Sequence, residues 1–433
     1  MVSLKGLKKS FELNEATVGV IGLGYVGIPL SIKFSEIGYK VIGFDSNKSK
    51  ISSLKKSKSY LSHIDSKSIS SAIKKGFEVT NNFSEISKCD AIIICVPTPL
   101  DENKNPNLEY IKSSLDSAGP YLKKYQAISL ESTTYPGTCE ELILPYLKNK
   151  NFSVGKDFFL IYSPEREDPG NKNFSINNIP KIVAGHTQNC LDVGLALYGT
   201  AVSTLIPVKD TKVGEMAKLL ENAHRAVNIA FINEMKVVAE KMKIDIFDVI
   251  DAAKSKPFGF SPYFPGPGIG GHCIPIDPLY LSWKAKQFNA STKIIDLADE
   301  INSAMPKRVV DKTSQALKEN FKKMEESKIL ILGIAYKKNI NDIRESPALK
   351  IAEELNRRGS KVYFSDPFVN SLEDKIFELP KSINLTIEEI KEFDVAIICT
   401  DHDSFDYDFI SSNLKIIIDS RGRISKNKNV YRA

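Results

Sequence analysis

The 433-residue sequence contains no run of eighteen or more apolar residues, so nothing in it reads as a bilayer-spanning helix. The N-terminal stretch MVSLKGLKKSFELNEA carries Lys5, Lys8 and Lys9 but lacks the continuous apolar core of an export signal, and it reads as a surface leader. A cytoplasmic protein with no membrane partner is expected. A long block of one charge sign is also missing: 59 basic against 53 acidic residues leave +6, with the lysines spread along the chain, which argues against a nucleic-acid partner. The six cysteines form no C-x-x-C pair and no dense extracellular framework, so reduced thiols are expected. Cys95 and Cys399 lie in apolar runs and read as inert core residues, whereas Cys273 stands among glycines and polar residues and needs another explanation.

What is present is length enough for more than one hydrophobic core, and the pattern suggests three regions, 1–208, 209–322 and 323–433. The first opens with an apolar stretch, Val18 to Ile21, then Gly22-Leu23-Gly24-Tyr25-Val26-Gly27, a helix-like segment reaching Gly38, and Lys40 to Asp45. That is strand, glycine turn, helix, strand. Further short branched runs, Cys89 to Val96 and Ala127 to Glu131, extend the alternation and argue for an α/β doubly wound parallel sheet. The last region repeats the order: Lys328 to Gly333, a helix from about Pro347 to Arg358, Lys361 to Asp366, Asp394 to Cys399, and Lys415 to Asp419. Its glycine turn is missing, because Ile334-Ala335-Tyr336 follow Gly333, so this second Rossmann-like sheet should hold something other than a dinucleotide. Between them, Thr211 to Met242 places Val213, Met216, Leu220, Ala223, Val227, Ala230 and Ile232 at helical spacing, which predicts a long central helix that could join the two sheets. The Pro/Gly-rich stretch from Pro257 to Pro275 can be neither regular helix nor central strand.

The glycine turn carries the first chemistry. Gly22 permits the tight turn, Gly24 lets backbone amides approach a pyrophosphate, and Gly27 allows close helix packing; Asp45, at a strand end about twenty residues on, can accept both ribose hydroxyls. A carboxylate there predicts NAD over NADP, since it would repel a 2′-phosphate. Thr98, within Val96-Pro97-Thr98-Pro99, and Thr134, within Ser132 to Thr138, follow strands at the edge where such sheets bind ligands, although turn chemistry alone would account for them. Glu215, Lys218 and Asn222 recur every three or four residues and share one helix face. An exposed charged face is the plain reading; a cation beside an amide donor would also suit an oxygen that gains negative charge. Cys273 sits in Gly270-Gly271-His272-Cys273-Ile274-Pro275-Ile276-Asp277, where the glycines would allow close substrate approach. A zinc site with His272 lacks a second pair of ligands, so no metal is expected, and a nucleophile that captures an aldehyde fits better.

Together these motifs resemble the UDP-glucose/GDP-mannose dehydrogenase family of nucleotide-sugar 6-dehydrogenases, from about Val18 to Arg421. The resemblance rests on Gly-Leu-Gly-Tyr-Val-Gly, Ser-Pro-Glu-Arg, Lys218-Leu-Leu-Glu-Asn222, Gly-Gly-His-Cys-Ile-Pro-Ile-Asp and Ala-Tyr-Lys-Lys followed by Arg-Glu-Ser, in the family's order. It implies two successive oxidations of a sugar C6: NAD takes a hydride, Cys273 traps the aldehyde, a second NAD takes another hydride, and water cleaves the thioester. By motif match Lys218 and Asn222 would stabilise oxyanions, Asp277 would position or activate water, and Glu165 and Thr134 would assist proton transfer and water placement. Tyr25 and Val26 of the turn, with Thr98 and Arg344, would complete the cofactor site. Glu165, Arg166, Tyr263, Phe264, Gly270, Tyr336, Lys337 and Arg421 would join Lys218 and Asn222 around the UDP-sugar. The family also implies a homodimer built on the central helical region.

The segment Tyr162 to Gly170 and the Ile276 before Asp277 look like the UDP-N-acetylglucosamine branch rather than the UDP-glucose branch, where lysine commonly precedes the aspartate. UDP-N-acetylmannosamine and UDP-N-acetylgalactosamine stay open, since an epimer differs by one substituent's orientation. A one-step hydroxy-acid dehydrogenase would share the first sheet but need no cysteine. An NAD-sensing scaffold would leave Cys273, Lys218 and Asn222 unexplained.

Overall fold

The computed structural model describes residues 3–61, 64–167, 178–372, 377–378, 381–425 and 427–433. Asp168, Pro169 and Gly170 of the branch-like segment lie outside them. The chain divides into two compact units: Met1–Glu221 with Leu279–Ala290, and Asn222–Pro278 with Ser291–Ala433. The boundary falls inside the long helix, so the central region expected from sequence is shared between the units.

The first unit holds an eight-stranded sheet of β1 (Thr17–Ile21), β2 (Lys40–Phe44), β3 (Phe77–Thr80), β4 (Ala91–Ile94), β5 (Gln126–Leu130), β6 (Phe158–Tyr162), β7 (Lys181–Gly185) and β8 (Leu205–Val208) in the order β3-β2-β1-β4-β5-β6-β7-β8. β4, β5, β6 and β7 are buried along their whole length, as strands covered on both faces must be. The order reverses beside β1, where β2 and β4 flank it in parallel register, Val18 opposite both Val41 and Ala91. Such a switch point leaves a crevice at the strand ends. One pair departs from the expected all-parallel sheet: β7 runs antiparallel to β6.

The N-terminal leader is not a loose surface segment. Leu4–Glu12 is a helix capped by Ser3, it packs on the helix Gln188–Gly199, and it buries Leu7 and Phe11. The Tyr39 hydroxyl donates to the Phe11 carbonyl at 2.6 Å and ties the helix to the sheet's core.

The second unit holds a five-stranded parallel sheet of β9 (Lys328–Leu332), β10 (Lys361–Ser365), β11 (Val395–Ile398), β12 (Ile417–Asp419) and β13 (Val430–Arg432), ordered β10-β9-β11-β12-β13. The expected helix is present as Pro347–Arg357, and a further helix, Lys293–Glu319, packs against it despite Pro306 in its interior. The long helix runs from Thr211 to Lys241. In its first half Val213, Met216 and Leu220 are exposed, Leu220 by 58%, while Glu215, Lys218 and Asn222 are buried, against their plain reading as an exposed charged face.

Candidate active site

In the first unit the three fingerprint glycines do three separable things. Gly22 has φ +95°, and a Cβ there would lie 2.8 Å from the Cys95 carbonyl oxygen. A Cβ on Gly27 would collide with the Gly22 carbonyl at 2.0 Å, whereas one on Gly24 would meet nothing within 4 Å. The turn is therefore packed on the protein side and open at Gly24, above the N-terminus of the helix Gly27–Glu36, whose cap residue Val26 supplies no side-chain acceptor. Tyr25 and Val26 are half-buried at this turn. Amides at a helix start with open space beside them suit a pyrophosphate, so the residues present fit a dinucleotide.

The Asp45 carboxylate accepts from the amides of Leu23 (3.0 Å) and Asn47 (2.8 Å), which fixes it between the turn and the end of β2. Lys50 also reaches it at 3.4 Å. The carboxylate is thus not the uncompensated charge assumed from sequence, although a ribose still meets it as an acceptor. Thr98 spends its hydroxyl on the Thr133 carbonyl at 2.8 Å, tying two strand-end loops together. The hydroxyl of Thr134 is fully buried and finds no hydrogen-bond partner among the described residues. A buried hydroxyl in that state carries a desolvation cost that a bound water or ligand group would remove.

Glu165 follows β6. Its carboxylate accepts from the Arg166 amide at 2.6 Å and from the Glu167 amide, so two backbone donors hold it in a fixed position. Arg166 is occupied by Glu221, with Nη2 at 2.6 Å and Nε at 3.3 Å, and by the Pro180 carbonyl. Under this loop lies a buried group no motif announced: Lys181 bridges Glu131 at 3.0 Å, and Glu131 accepts from Tyr198 at 2.7 Å. Burial pushes the Glu131 carboxyl up, against the pull of Lys181.

The charged face of the long helix is an inward face. Glu215 is fully buried and its carboxylate accepts from the amides of Gly137 (2.5 Å) and Cys139 (2.9 Å), capping the segment that follows Thr134. Burial raises it to about 7 despite those two donors. Lys218, one turn on, is buried and makes no hydrogen bond or ion pair among the described residues of its unit. The plain reading of a solvated charge stripe therefore fails here.

In the second unit the Asn222 amide donates to the Asp277 carboxylate at 2.5 Å, and both are buried. Asp277 begins the helix Asp277–Lys286, and its amide and that of Ile276 both close on the Cys273 carbonyl, at 2.8 and 3.2 Å. Cys273 thereby stands at the positive end of a helix, a placement that stabilises a thiolate. It is half-exposed, and the other five cysteines are buried. Burial pushes Cys399 and Cys89 up to about 12 and Cys95 well above its ordinary value, as inert thiols require.

The glycines before Cys273 have a different reason from the one expected. A Cβ on Gly270 would fall 2.6 Å from the Tyr336 Cβ, and one on Gly271, at φ +81°, 2.8 Å from its ring. The pair makes room for Tyr336, and the Gly271 amide donates to the Arg344 carbonyl at 3.0 Å. Arg344 itself forks onto Asp342, Nε at 2.9 Å and Nη2 at 2.6 Å. Arg421 donates from Nε to the Cys399 carbonyl at 2.8 Å, Lys337 is half-buried, Tyr263 approaches His224 Nδ1 at 3.4 Å, and Phe264 is half-exposed.

Two residues that sequence reasoning passed over belong beside these. Asn233 and Lys236, both buried on the long helix, hold the backbone of Gly266 from below. Their signal was available, because a lysine in phase with the buried Ile232 and Ala239 cannot point to solvent. Among the described residues no cluster of three or more His, Cys, Asp or Glu could hold a metal ion, and no helix is long and apolar enough to cross a membrane.

Comparison with known proteins covers nearly the whole chain. Residues 16–202 match the NAD binding domain of the UDP-glucose/GDP-mannose dehydrogenase family, 212–304 its central domain and 330–426 its UDP binding domain. The chain is 35% identical over 368 residues to the UDP-N-acetyl-D-glucosamine 6-dehydrogenase of Pseudomonas aeruginosa, covering 84% of this chain and 86% of the relative. It is 32% identical over 421 residues to the UDP-N-acetyl-D-mannosamine dehydrogenase of Methanocaldococcus jannaschii, covering 94% and 92%. The solved UDP-N-acetyl-mannosamine dehydrogenase Cap5O of Staphylococcus aureus superposes with a TM-score of 0.82 at 32% identity, over 96% of this chain and 97% of that one. With the open glycine turn and the helix-end cysteine in place, the chain belongs to the UDP-glucose/GDP-mannose dehydrogenase family and is an NAD-dependent nucleotide-sugar 6-dehydrogenase.

Proposed function

We propose that the protein oxidises the C6 hydroxymethyl group of UDP-N-acetylglucosamine to a carboxylate through a thioester on Cys273. The observation that carries the chemistry is the half-exposed Cys273 at a helix start, with Asn222 hydrogen-bonded to Asp277 four residues on. Gly22, Gly24, Tyr25, Val26, Gly27 and Asp45, with Thr98 and Arg344 as further contacts, would hold NAD, which would supply the hydride acceptor for each of the two oxidations at C6. Glu165 or a water placed by Thr134 takes the proton of the C6 hydroxyl. The Cys273 thiolate adds to the aldehyde carbon, and the carbonyl electron pair moves onto oxygen, where Lys218 and the Asn222 amide donate to it. Once the second oxidation has made the thioester, water attacks it, Asp277 takes the water's proton, and Cys273 leaves as thiolate. Arg166, Tyr263, Phe264, Gly270, Tyr336, Lys337 and Arg421 complete the UDP-sugar site in this reading.

The substrate assignment is supported by the 35% identical relative named for UDP-N-acetylglucosamine and by Ile276 before Asp277. UDP-N-acetylmannosamine is the second reading, favoured by the Methanocaldococcus jannaschii relative and the Cap5O structure. A panel of UDP-N-acetylglucosamine, UDP-N-acetylmannosamine, UDP-N-acetylgalactosamine and UDP-glucose, assayed with NAD and followed to product, decides between them. The expected result is the highest kcat/KM and two NADH per sugar with UDP-N-acetylglucosamine; one NADH, or another sugar ahead, overturns it.

We also propose a homodimer. The exposed apolar residues of the long helix, Val213, Met216, Leu220, Phe231, Val238 and Met242, recur at helical spacings and would be costly to leave in water. Sedimentation at micromolar concentration should give twice the monomer mass, and a monomer there would exclude this face as a stable interface.

A further inference from the structure

Lys236 is the buried cation with the poorest set of partners in the second unit. It is 3% exposed, and its ammonium, with three donors, makes one long hydrogen bond among the described residues, 3.4 Å to the carbonyl of Gly266. The amide of the same glycine donates to Asn233 Oδ1 at 3.0 Å; Asn233 is held in turn by Asn302 at 3.0 Å, and Asn302 by the Ala226 carbonyl at 3.1 Å. Both backbone groups of Gly266 are thus clamped from the long helix, seven residues before Cys273.

The charges facing Lys236 are mostly of its own sign. From the helix Lys293–Glu319 comes Arg308, and from the segment after β12 comes Arg421. Arg421 also packs on Gly266, where an added Cβ would come within 2.7 Å of Nη1. Among the described residues the carboxylate that acts on it, Glu240, lies a turn further along the same helix and is already shared between Arg308 and Lys312. Burial first, then Arg308 and Arg421, push the Lys236 ammonium down to about 7 against the opposing pull of Glu240. A buried lysine among guanidinium groups lacks a counter-anion, and an anion that compensates Arg421 would supply one.

We propose that Lys236 is a proton-linked positioning residue for the nucleotide-sugar substrate, charging when the substrate's diphosphate binds and then fixing Gly266 and the loop that carries Cys273. The inference rests on reading Arg421 as a substrate contact. Its sign follows from linkage: a lysine depressed in the empty protein and raised by a bound anion takes up a proton on binding. Affinity therefore falls as pH rises above about 7, by up to about tenfold per unit, until the bound-state value is passed.

The test is titration calorimetry of the full chain with UDP-N-acetylglucosamine, NAD omitted, in MES and in bis-Tris at pH 6 and in HEPES and in Tris at pH 8, pairs of buffers that differ in ionisation heat. The diphosphate diester of this probe does not titrate in that range. Wild type should take up roughly half to one proton per site at pH 8 and little at pH 6. Lys236→Met should bind several-fold more weakly at pH 6 and show no uptake, with a melting temperature at least as high as wild type. Lys236→Arg, which stays charged, should bind without uptake and without the fall in affinity. Absence of uptake in wild type, or its persistence in both variants, overturns the proposal while leaving the proposed function intact. If neither UDP-N-acetylglucosamine nor UDP-N-acetylmannosamine binds, the substrate reading falls and takes this inference with it.

Discussion

Both sheets end their second strand in an aspartate, and the two aspartates lead opposite lives. Asp45, after β2, accepts two amides and one half-buried lysine and lies beside a turn with open space at Gly24. Asp366, after β10, is saturated: Ile334 and Ala335 donate to one oxygen at 2.7 and 3.1 Å, Phe368 and Val369 to the other at 2.8 and 3.0 Å, and His402 closes the set at 3.0 Å. Even the preceding glycines correspond, since a Cβ on Gly333 would strike the Thr400 carbonyl at 2.2 Å much as one on Gly22 would strike Cys95. What differs is the next few residues. Ile334 and Ala335 are buried where the first sheet has its open turn, so the second sheet uses its carboxylate to hold its own loops and cannot offer it to a ribose. The two sheets share this local geometry, but Asp366 is committed to hydrogen bonds within its own sheet's loops, whereas Asp45 lies beside an open turn.

The sharpest division between the units should come from Cys273→Ser. It removes the proposed nucleophile of the second unit and leaves the first sheet untouched, so NAD affinity should persist while turnover falls at least about a thousandfold, roughly 4 kcal/mol of barrier. Ordinary release of two NADH per sugar by this variant would refute the covalent route. The same wild-type protein, quenched in turnover, should carry sugar-derived mass on the Cys273 peptide.

Asp366→Ala should cost about 3–5 kcal/mol of stability, because it strands four amides and a buried histidine, yet leave the NAD dissociation constant of the soluble fraction within a factor of two. Its pH dependence is also fixed in sign. Burial alone would raise the Asp366 carboxyl, but the His402 hydrogen bond and charge and the backbone amides more than offset it and hold it below the usual range. Its stabilisation is therefore full at neutral pH and is lost as pH falls through that depressed value. Acid unfolding of wild type should show a proton uptake that Asp366→Asn lacks.

Asp45→Ala should shift the balance, weakening NAD by about ten- to hundredfold, or 1.5–3 kcal/mol, and costing less stability than Asp366→Ala because it strands two amides rather than four and no histidine. Equal losses of stability in the two aspartate variants would erase the contrast. The smallest effect belongs to Lys50→Ala. Half-buried Lys50 stands at a long 3.4 Å from a carboxylate that two amides already hold, a pair worth about 1 kcal/mol or less, so stability should barely move, but removing the cation should widen the preference for NAD over NADP by a few-fold.

Much of this was readable along the chain. The glycine turn, the strands around it and the long helix follow from local spacing, and the helix ends within a residue of the expected limit. The roles of the glycines at 270 and 271 were not, because their partner Tyr336 lies more than sixty residues away. The long helix shows why a periodic pattern can mislead. Val213, Met216 and Leu220 form an apolar stripe that stays exposed, while Glu215, Lys218 and Asn222, whose plain reading is a solvated charged face, are the set the structure turns inward.

The sequence by itself determined the strand, turn and helix openings of both sheets, the long helix, the glycine turn and the identity of the candidate nucleophile, because each is written in residues a few positions apart whose backbone preferences act locally. Only the tertiary structure decided which of two like aspartates stays available, which face of the long helix is buried, and that Lys236 is held among arginines. Burial and electrostatic environment are sums over atoms brought together from distant segments, and a carboxylate or ammonium has no fixed role until those neighbours have replaced its water.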